Sequence, residues 1–392
     1  MPPVVHAFAD LTDTARFVRE QGSAKRFVLV YAHNGTGKTR LCSEFKTQGQ
    51  RKDDDGRTIQ RDTLYFNAYT EDLFTWDNDL EKDQDRVLEF NQESSFFDGV
   101  RELEMEVKIG ELLQRYAGFS FAINYDRKRQ TPDGQEVPAP PAVTFFRERD
   151  TDNVPIPMKI SRGEQNIFVW CWFLANVKLV LDGDEAYDWV KYIYIDDPVS
   201  SLDEHNAIVV ASHLVQLFRE SDSDVPAIVS THHNLFFNVL HYELKSHFNS
   251  KSVQFVLARD RGKGRYKLTR FSGDTPSFHH IAALQELAII AQEDALQTHH
   301  FNQLRTILEK TALFHGYTHF GKCIKQTDDD AEGILHQRFV DLLSHGNYSM
   351  FEPVPMGDET KQYFRAILSS FLDKFPFNPD HFPRGGPSAP TP

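Results

Sequence analysis

The sequence predicts an α/β domain built on a mixed sheet, followed by a smaller all-α domain. Three observations predict it. An apolar strand, Arg26 to Tyr31, runs into a glycine-rich loop that ends in Lys38-Thr39 and a helix-compatible run. A second strand, Tyr192 to Ile195, delivers two carboxylates, Asp196 and Asp197, at its tip. From His280 onward the apolar spacing is helical throughout.

Composition sets the outer bounds. At 392 residues the chain has room for two or three domains. Hydrophobic content of 40% and charged content of 26% are those of a soluble globular protein. No apolar run approaches the ~20 residues of a membrane span. Residues Met1 to Asp10 lack a basic and apolar signal pattern. Cys42, Cys171 and Cys323 are scattered and odd in number, so no disulfide frame or zinc site is expected. The expected compartment is the reducing cytoplasm, without membrane contact. A net charge of −14 argues against sequence-blind binding along nucleic acid and confines any such contact to a local patch.

The first strand leads into Ala32-His33-Asn34-Gly35-Thr36-Gly37-Lys38-Thr39, a P-loop in its proper strand-loop-helix context. Backbone N–H groups of Gly35 to Thr39, flanked by Asn34, can cradle phosphates at the helix start. Lys38 would reach the β and γ phosphates of ATP or GTP, and the Thr39 hydroxyl would bind Mg²⁺. Ala32 stands where glycine is usual, a small change of loop geometry. A glycine turn before an ordinary helix is the competing account.

Thr63 to Tyr69 reads as a strand, and Leu80 to Ala117 as mostly helical. Phe119 to Tyr125 and Ala142 to Arg147 read as strands around a Pro/Gly loop, Thr131 to Pro141. Lys159 to Gln165 opens an apolar helix, Asn166 to Leu181; Ser161 is a good N-cap, so a plain helix start is the competing account. Two carboxylates at the tip of the acidic strand can divide the work. Asp196 would position Mg²⁺ and Asp197 would orient a water against a phosphate. A buried strand ending in an acidic turn is the alternative.

Leu202 to Arg219 forms an amphipathic helix, and Ala227 to His233 a strand with His232 at its tip. Ser252 to Arg259 and Arg265 to Phe271 form a hairpin. It carries Arg259, Arg261, Lys263, Arg265, Lys267 and Arg270 against the single acid Asp260. This is a candidate phosphate contact or, equally, an edge hairpin protected by charge. No heptad run separates the P-loop from Ser161, so long coiled-coil arms are not expected.

Helices are expected over Ile281–Gln297, Phe301–His315, Ala331–Leu343 and Glu359–Phe371. Arg305 and Glu309, four apart, share a helix face. Arg338 and His345 follow. A guanidinium, a carboxylate and an imidazole suffice for RNA cleavage through the ribose 2′-OH. From spacing alone, Arg305–Glu309 reads first as a surface ion pair and His345 as a helix-terminal histidine. The domains read as 1–270 and 271–376, with a Pro/Gly-rich tail, 377–392, expected to be disordered.

The motifs carry a resemblance. Lys38-Thr39, ISRGEQNIF and YIDDPVSSLDEHN resemble, in order, the P-loop, signature, acidic strand and D-loop of ABC-type ATPases. That resemblance puts Ser161, Gly163, Glu164, Gln165 and Asp203 on the nucleotide held by a second subunit, hence head-to-tail homo-oligomers. It makes His232 the histidine that contacts the γ-phosphate. Together with YAHNGTGKTRL and FNAYTEDLFTWDNDL, these segments are similar to the PrrC-type bacterial anticodon nucleases.

The resemblance implies an ABC-type ATPase domain ahead of an all-α, HEPN-like ribonuclease domain. It implies a catalytic set of Arg305, Glu309 and His345, and base recognition near Gly273-Asp274 and Ser277-Phe278. It further implies a lysine tRNA substrate and a type I restriction–modification complex as partner in antiviral defence. The rival is an ATP-driven DNA-binding or repair head whose helical tail serves assembly.

Overall fold

The computed structural model describes residues 4–67, 70, 73–76, 87–91, 104–130, 135–198, 204–260, 264–271, 279–324, 340 and 355–377. In chain order the strands are β1 Val5–Phe8, β2 Phe27–Tyr31, β3 Arg51–Lys52, β4 Thr58–Gln60, β5 Thr63–Phe66, β6 Phe74–Trp76 and β7 Val87–Phe90. They continue with β8 Ser120–Asn124, β9 Lys128–Gln130, β10 Glu136–Pro138, β11 Ala142–Phe146, β12 Tyr192–Asp196, β13 Ala227–Thr231, β14 Ser252–Asp260 and β15 Arg265–Phe271. The helices are α1 Leu11–Ala24, α2 Lys38–Gln48, α3 Met105–Leu113, α4 Arg162–Asp182, α5 Glu204–Arg219 and α6 Asn234–Phe248, then α7 His279–Gln292, α8 His300–Phe314 and α9 Asp358–Lys374. The chain divides into two compact units, Met1–Asp274 and Thr275–Pro392.

The first unit is organised by a seven-stranded mixed sheet in the order β1-β15-β14-β2-β13-β12-β5. Strands β14, β2, β13, β12 and β5 are parallel neighbours, while β15 runs antiparallel to both β14 and β1. Every residue of β2 is buried, as a central strand covered on both faces requires. Its side chains alternate between two cores. Phe27, Leu29 and Tyr31 join the core with α4, α5 and α6, whereas Val28 and Val30 join α1 and α2.

Helix α4 is apolar all round, with Phe168, Trp170, Trp172 and Phe173 fully buried. Arg19 of α1 locks the opposite face. Its guanidinium lies over the rings of Phe45 and Tyr192, at 4.6 and 4.5 Å, and pairs with Asp62. A separate antiparallel sheet, β6-β7-β11-β8, packs against α4 through Phe74, Phe90 and Phe145.

Two expectations are corrected. Val87–Phe90, expected within a helical stretch, is a strand: Leu88 and Phe90 are buried on one side, and the segment pairs with β6 and β11. The basic hairpin is not an edge, because β1 pairs outside β15. Apart from the buried Val340, the expected helix over Ala331–Leu343 lies outside the described residues, as do the tail beyond Phe377 and the start of the Thr131–Pro141 loop.

The second unit has its own core. Leu284, Leu287, Phe301, Leu304, Leu308, Phe364 and Phe371 bring α7, α8 and α9 together. Cys42, Cys171 and Cys323 are all free and buried. Among the described residues no helix is long and apolar enough to cross a membrane.

Candidate functional site

Three parallel neighbours, β2, β13 and β12, end at one edge of the sheet, where a ligand crevice is expected in such folds. The P-loop leaves β2 and is tied back by the Ala32 N–H, which donates to the Thr231 carbonyl at 3.0 Å. Gly35 and Gly37 have φ of 77° and 111°, conformations that strain any residue with a Cβ. Gly37 is the N-cap of α2, and no side chain caps that helix start. Its first N–H groups are therefore offered to an anion, the fit expected of a phosphate cradle.

Lys38 is 5% exposed. Its ammonium lies 3.2 Å from Asp197 Oδ2 and donates to the Ala32 and His33 carbonyls and to Asn34 Oδ1, at 3.2 to 3.4 Å. Thr39 Oγ1 donates to Asp196 Oδ2 at 2.7 Å, and Ser230 Oγ donates to Asp196 Oδ1 at 2.6 Å. Thr39 and Asp196 thus present two hard oxygens side by side, the donor set that suits Mg²⁺. Among the described residues no group of three or more His, Cys, Asp and Glu side chains is placed to hold a metal ion. A Mg²⁺ here would rest on Thr39, Asp196 and the nucleotide's own phosphates.

The neighbouring acids are set apart electrostatically. Burial raises the Asp196 carboxyl above the usual carboxylate value, against the hydrogen bonds from Ser230 and Thr39. Burial pushes Asp197 the same way, but hydrogen bonds from His232 and the charge of Lys38 outweigh it and hold Asp197 below that value. Asp197 sits at φ 50°, a strained left-handed conformation for a residue with a side chain. Its Oδ1 accepts from the His232 backbone N–H and lies 2.8 Å from His232 Nδ1. An ionised Asp197 calls for the proton on Nδ1, leaving Nε2 available to a second partner. Tyr31, buried beside Asp197, has its hydroxyl pushed up to about 12.

Ser161 is exposed at the start of α4, in a capping box with Glu164. The Glu164 N–H donates to Ser161 Oγ at 3.2 Å, and the Ser161 N–H donates to Glu164 Oε2 at 2.8 Å. Gly163 and Glu164 are partly exposed. Gln165, expected on the nucleotide, turns its side chain inward. Its side chain is 1% exposed and accepts the Trp76 indole N–H at 2.9 Å. Gln165 therefore ties the small sheet to the start of α4.

In the second unit, Arg305 Nε donates to Glu309 Oε1 at 2.7 Å, and the Arg305 guanidinium lies 5.3 Å from the Phe320 ring centre. The Arg305 side chain is 20% exposed and that of Glu309 46%. Asp203, Gly273, Asp274, Ser277, Phe278, Arg338 and His345 lie outside the described residues. Ser230, Gln165 as a brace and Phe320 escaped the sequence reading. Only Ser230, one strand position before Thr231-His232, carried a local cue.

A P-loop, a paired-acid strand and a histidine strand on one sheet edge define a nucleotide-binding ATPase domain. In agreement, a family described as AAA domain matches residues 141–372. The anticodon nuclease of Escherichia coli is 34% identical over 355 residues, spanning 83% of this chain and 84% of that relative. The chain belongs to the PrrC-type anticodon nucleases. Two solved structures are more distant. One is the Smc head domain with an extended coiled coil from Pyrococcus furiosus, bound to the C-terminal domain of ScpA. It is 13% identical, with 43% of this chain and 34% of that chain covered and a TM-score of 0.27. The other, an Smc head bound to the C-winged helix domain of ScpA, is also 13% identical, with 44% of each chain covered and a TM-score of 0.27. Likenesses of that size carry no argument.

Proposed function

We propose that the chain is a nucleotide-gated, metal-independent endoribonuclease that cuts a tRNA anticodon loop, that of lysine tRNA, in antiphage defence. The observation that carries this reading is the 34% identity, over 83% of the chain, to the anticodon nuclease of Escherichia coli. The Arg305–Glu309 geometry supports it: a guanidinium oriented by a carboxylate on a partly exposed helix face. In this reaction a base removes the ribose 2′-OH proton, and the 2′-oxygen attacks the adjacent phosphorus. The bond to the 5′-oxygen breaks, and an acid protonates that leaving oxygen. Arg305 offsets the charge gathered on the pentavalent phosphorus. Glu309 and His345 divide the base and acid roles. The products are a 2′,3′-cyclic phosphate and a 5′-OH, and DNA, lacking the 2′-OH, is inert.

The gate is the first unit. ATP or GTP bound with Mg²⁺ supplies the phosphate charge and the scissile phosphoanhydride. Lys38, Asn34 and the amides of Gly35, Thr36, Gly37, Lys38 and Thr39 grip that charge. Asp197 keeps its own charge and orients His232. Ser161, Gly163 and Asp203 of a second copy would meet the same nucleotide, so closure needs a head-to-tail homodimer. A type I restriction–modification complex would hold the nuclease silent.

The test is incubation of the purified chain with total bacterial tRNA, nucleotide and Mg²⁺, followed by mapping of both ends at each cut. The expected result is one anticodon-loop cut with cyclic phosphate and 5′-OH ends, lost in Glu309→Ala and His345→Ala. Intact tRNA with ATPase stimulated by duplex DNA would overturn the reading in favour of a repair-type head.

A further inference from the structure

Neither the nucleotide site nor the Arg305–Glu309 pair uses the exposed patch at the C-terminal end of α8. Leu313, Phe314 and Tyr317 are 76%, 87% and 41% exposed. Scattered apolar side chains on a surface are ordinary, but a contiguous aromatic set is informative. Phe314 and Tyr317 both lie against the exposed His315, with ring centres 5.4 and 6.2 Å away, and His315 lies 4.8 Å from Phe375. Phe375 in turn packs on the buried Phe371.

The backbone beneath the patch is fixed. The Tyr317 N–H donates to the Ala312 carbonyl at 2.8 Å and the Gly316 N–H to the Leu313 carbonyl at 3.1 Å, with Gly316 at φ 74°. The Lys374 ammonium donates to the Lys322 carbonyl at 2.6 Å, holding the following turn.

We propose that this patch is a stacking platform for unpaired bases of an RNA loop presented to Arg305 and Glu309. The proposal rests on the endoribonuclease reading and names how its substrate is gripped. Arg305, Glu309 and Leu313 recur at four-residue spacing on one helix face, so Leu313 lies about 6 Å beyond Glu309 along the axis, while Phe314, one residue on and about 100° round the helix, carries the patch round the end of α8. In a chain of net charge −14, the stretch from Lys310 to Ile324 carries Lys310 and Lys322 and no carboxylate. A helix C-terminus presents carbonyls, which disfavours a phosphate against the patch itself. The face of a base, with its phosphates turned toward the lysines and Arg305, meets both conditions. Phe, Tyr and His are the side chains on which splayed-out loop bases stack, whereas a regular duplex keeps its bases stacked on one another.

The experiment uses the full chain, a stem–loop RNA with 2-aminopurine in its loop, and the variants Phe314→Ala, Tyr317→Ala and Phe314→Trp. Fluorescence quenching reads stacking, steady-state cleavage gives KM and kcat, and sedimentation reads assembly. Either alanine is expected to raise KM roughly five- to 100-fold with kcat little changed and to abolish quenching, while Phe314→Trp retains both. Cleavage by wild type with unchanged KM and quenching in the alanine variants overturns the platform and leaves the nuclease reading standing. Quenched binding without any cut, lost in the alanine variants, keeps the platform and removes the nuclease reading. Absence of both binding and cutting by wild type overturns both. Smaller assemblies in the alanine variants with unchanged RNA affinity would assign the patch to contacts between copies and overturn the platform.

Discussion

Asp197 is the residue on which the nucleotide site turns, because Lys38, His232 and its own strained backbone converge there. Truncating Lys38 to Ala would leave that carboxylate partly buried without its cation. A loss of about 3 kcal/mol in folding free energy is expected, besides loss of nucleotide binding, measured by denaturant titration and by isothermal calorimetry. Asp197→Asn tests the charge alone. Because the folded state holds Asp197 below its ordinary value, its stabilisation is present above about pH 4 and is lost as pH falls through the folded-state value. The difference in melting temperature between wild type and Asp197→Asn should therefore be widest near neutrality and close in acid. A difference that grows on acidification would contradict the arrangement. If Asp197, one methylene shorter than glutamate, orients the attacking water, turnover should stay below about 10 s⁻¹ in a steady-state ATPase assay.

Among the elements, α4 links most of the first unit. Its start is the capping box of Ser161 and Glu164, and its first turn is tied to Trp76 through Gln165. Ser161→Ala should cost about 1 kcal/mol through the cap, whereas Gln165→Leu should cost about 1–3 kcal/mol by leaving the Trp76 N–H unpaired. Red-shifted or blue-shifted Trp76 emission in Gln165→Leu, at unchanged far-ultraviolet dichroism, would report that local change.

What was legible in the chain divides along the same line. Strands β2, β12 and β13, helices α2 and α4, the Ser161 cap and the β14–β15 hairpin each carry a local signal: a buried apolar run, glycines, a cap or alternating polarity. Strand β7 was missed because four residues of Val-Leu-Glu-Phe are strand only in the company of β6 and β11. The bracing role of Gln165 is not legible locally because its partner is 89 positions away. The β14–β15 hairpin became interior rather than edge through β1, whose four residues have little period of their own.

At the scale of the whole molecule, two units with separate apolar cores should unfold as two calorimetric transitions. Nucleotide with Mg²⁺ at a hundred times its Kd should stabilise the unit carrying Lys38 by about 2.7 kcal/mol. A single transition, or one insensitive to nucleotide, would count against that assignment.

The buried state of Cys42, Cys171 and Cys323 has a practical corollary. Burial pushes each of these thiols up and shields it, so native protein should be silent to maleimide dyes. A lone introduced thiol, Leu313→Cys for instance, would then carry the label alone. Its emission could follow the arrival of RNA in real time without removing any native cysteine.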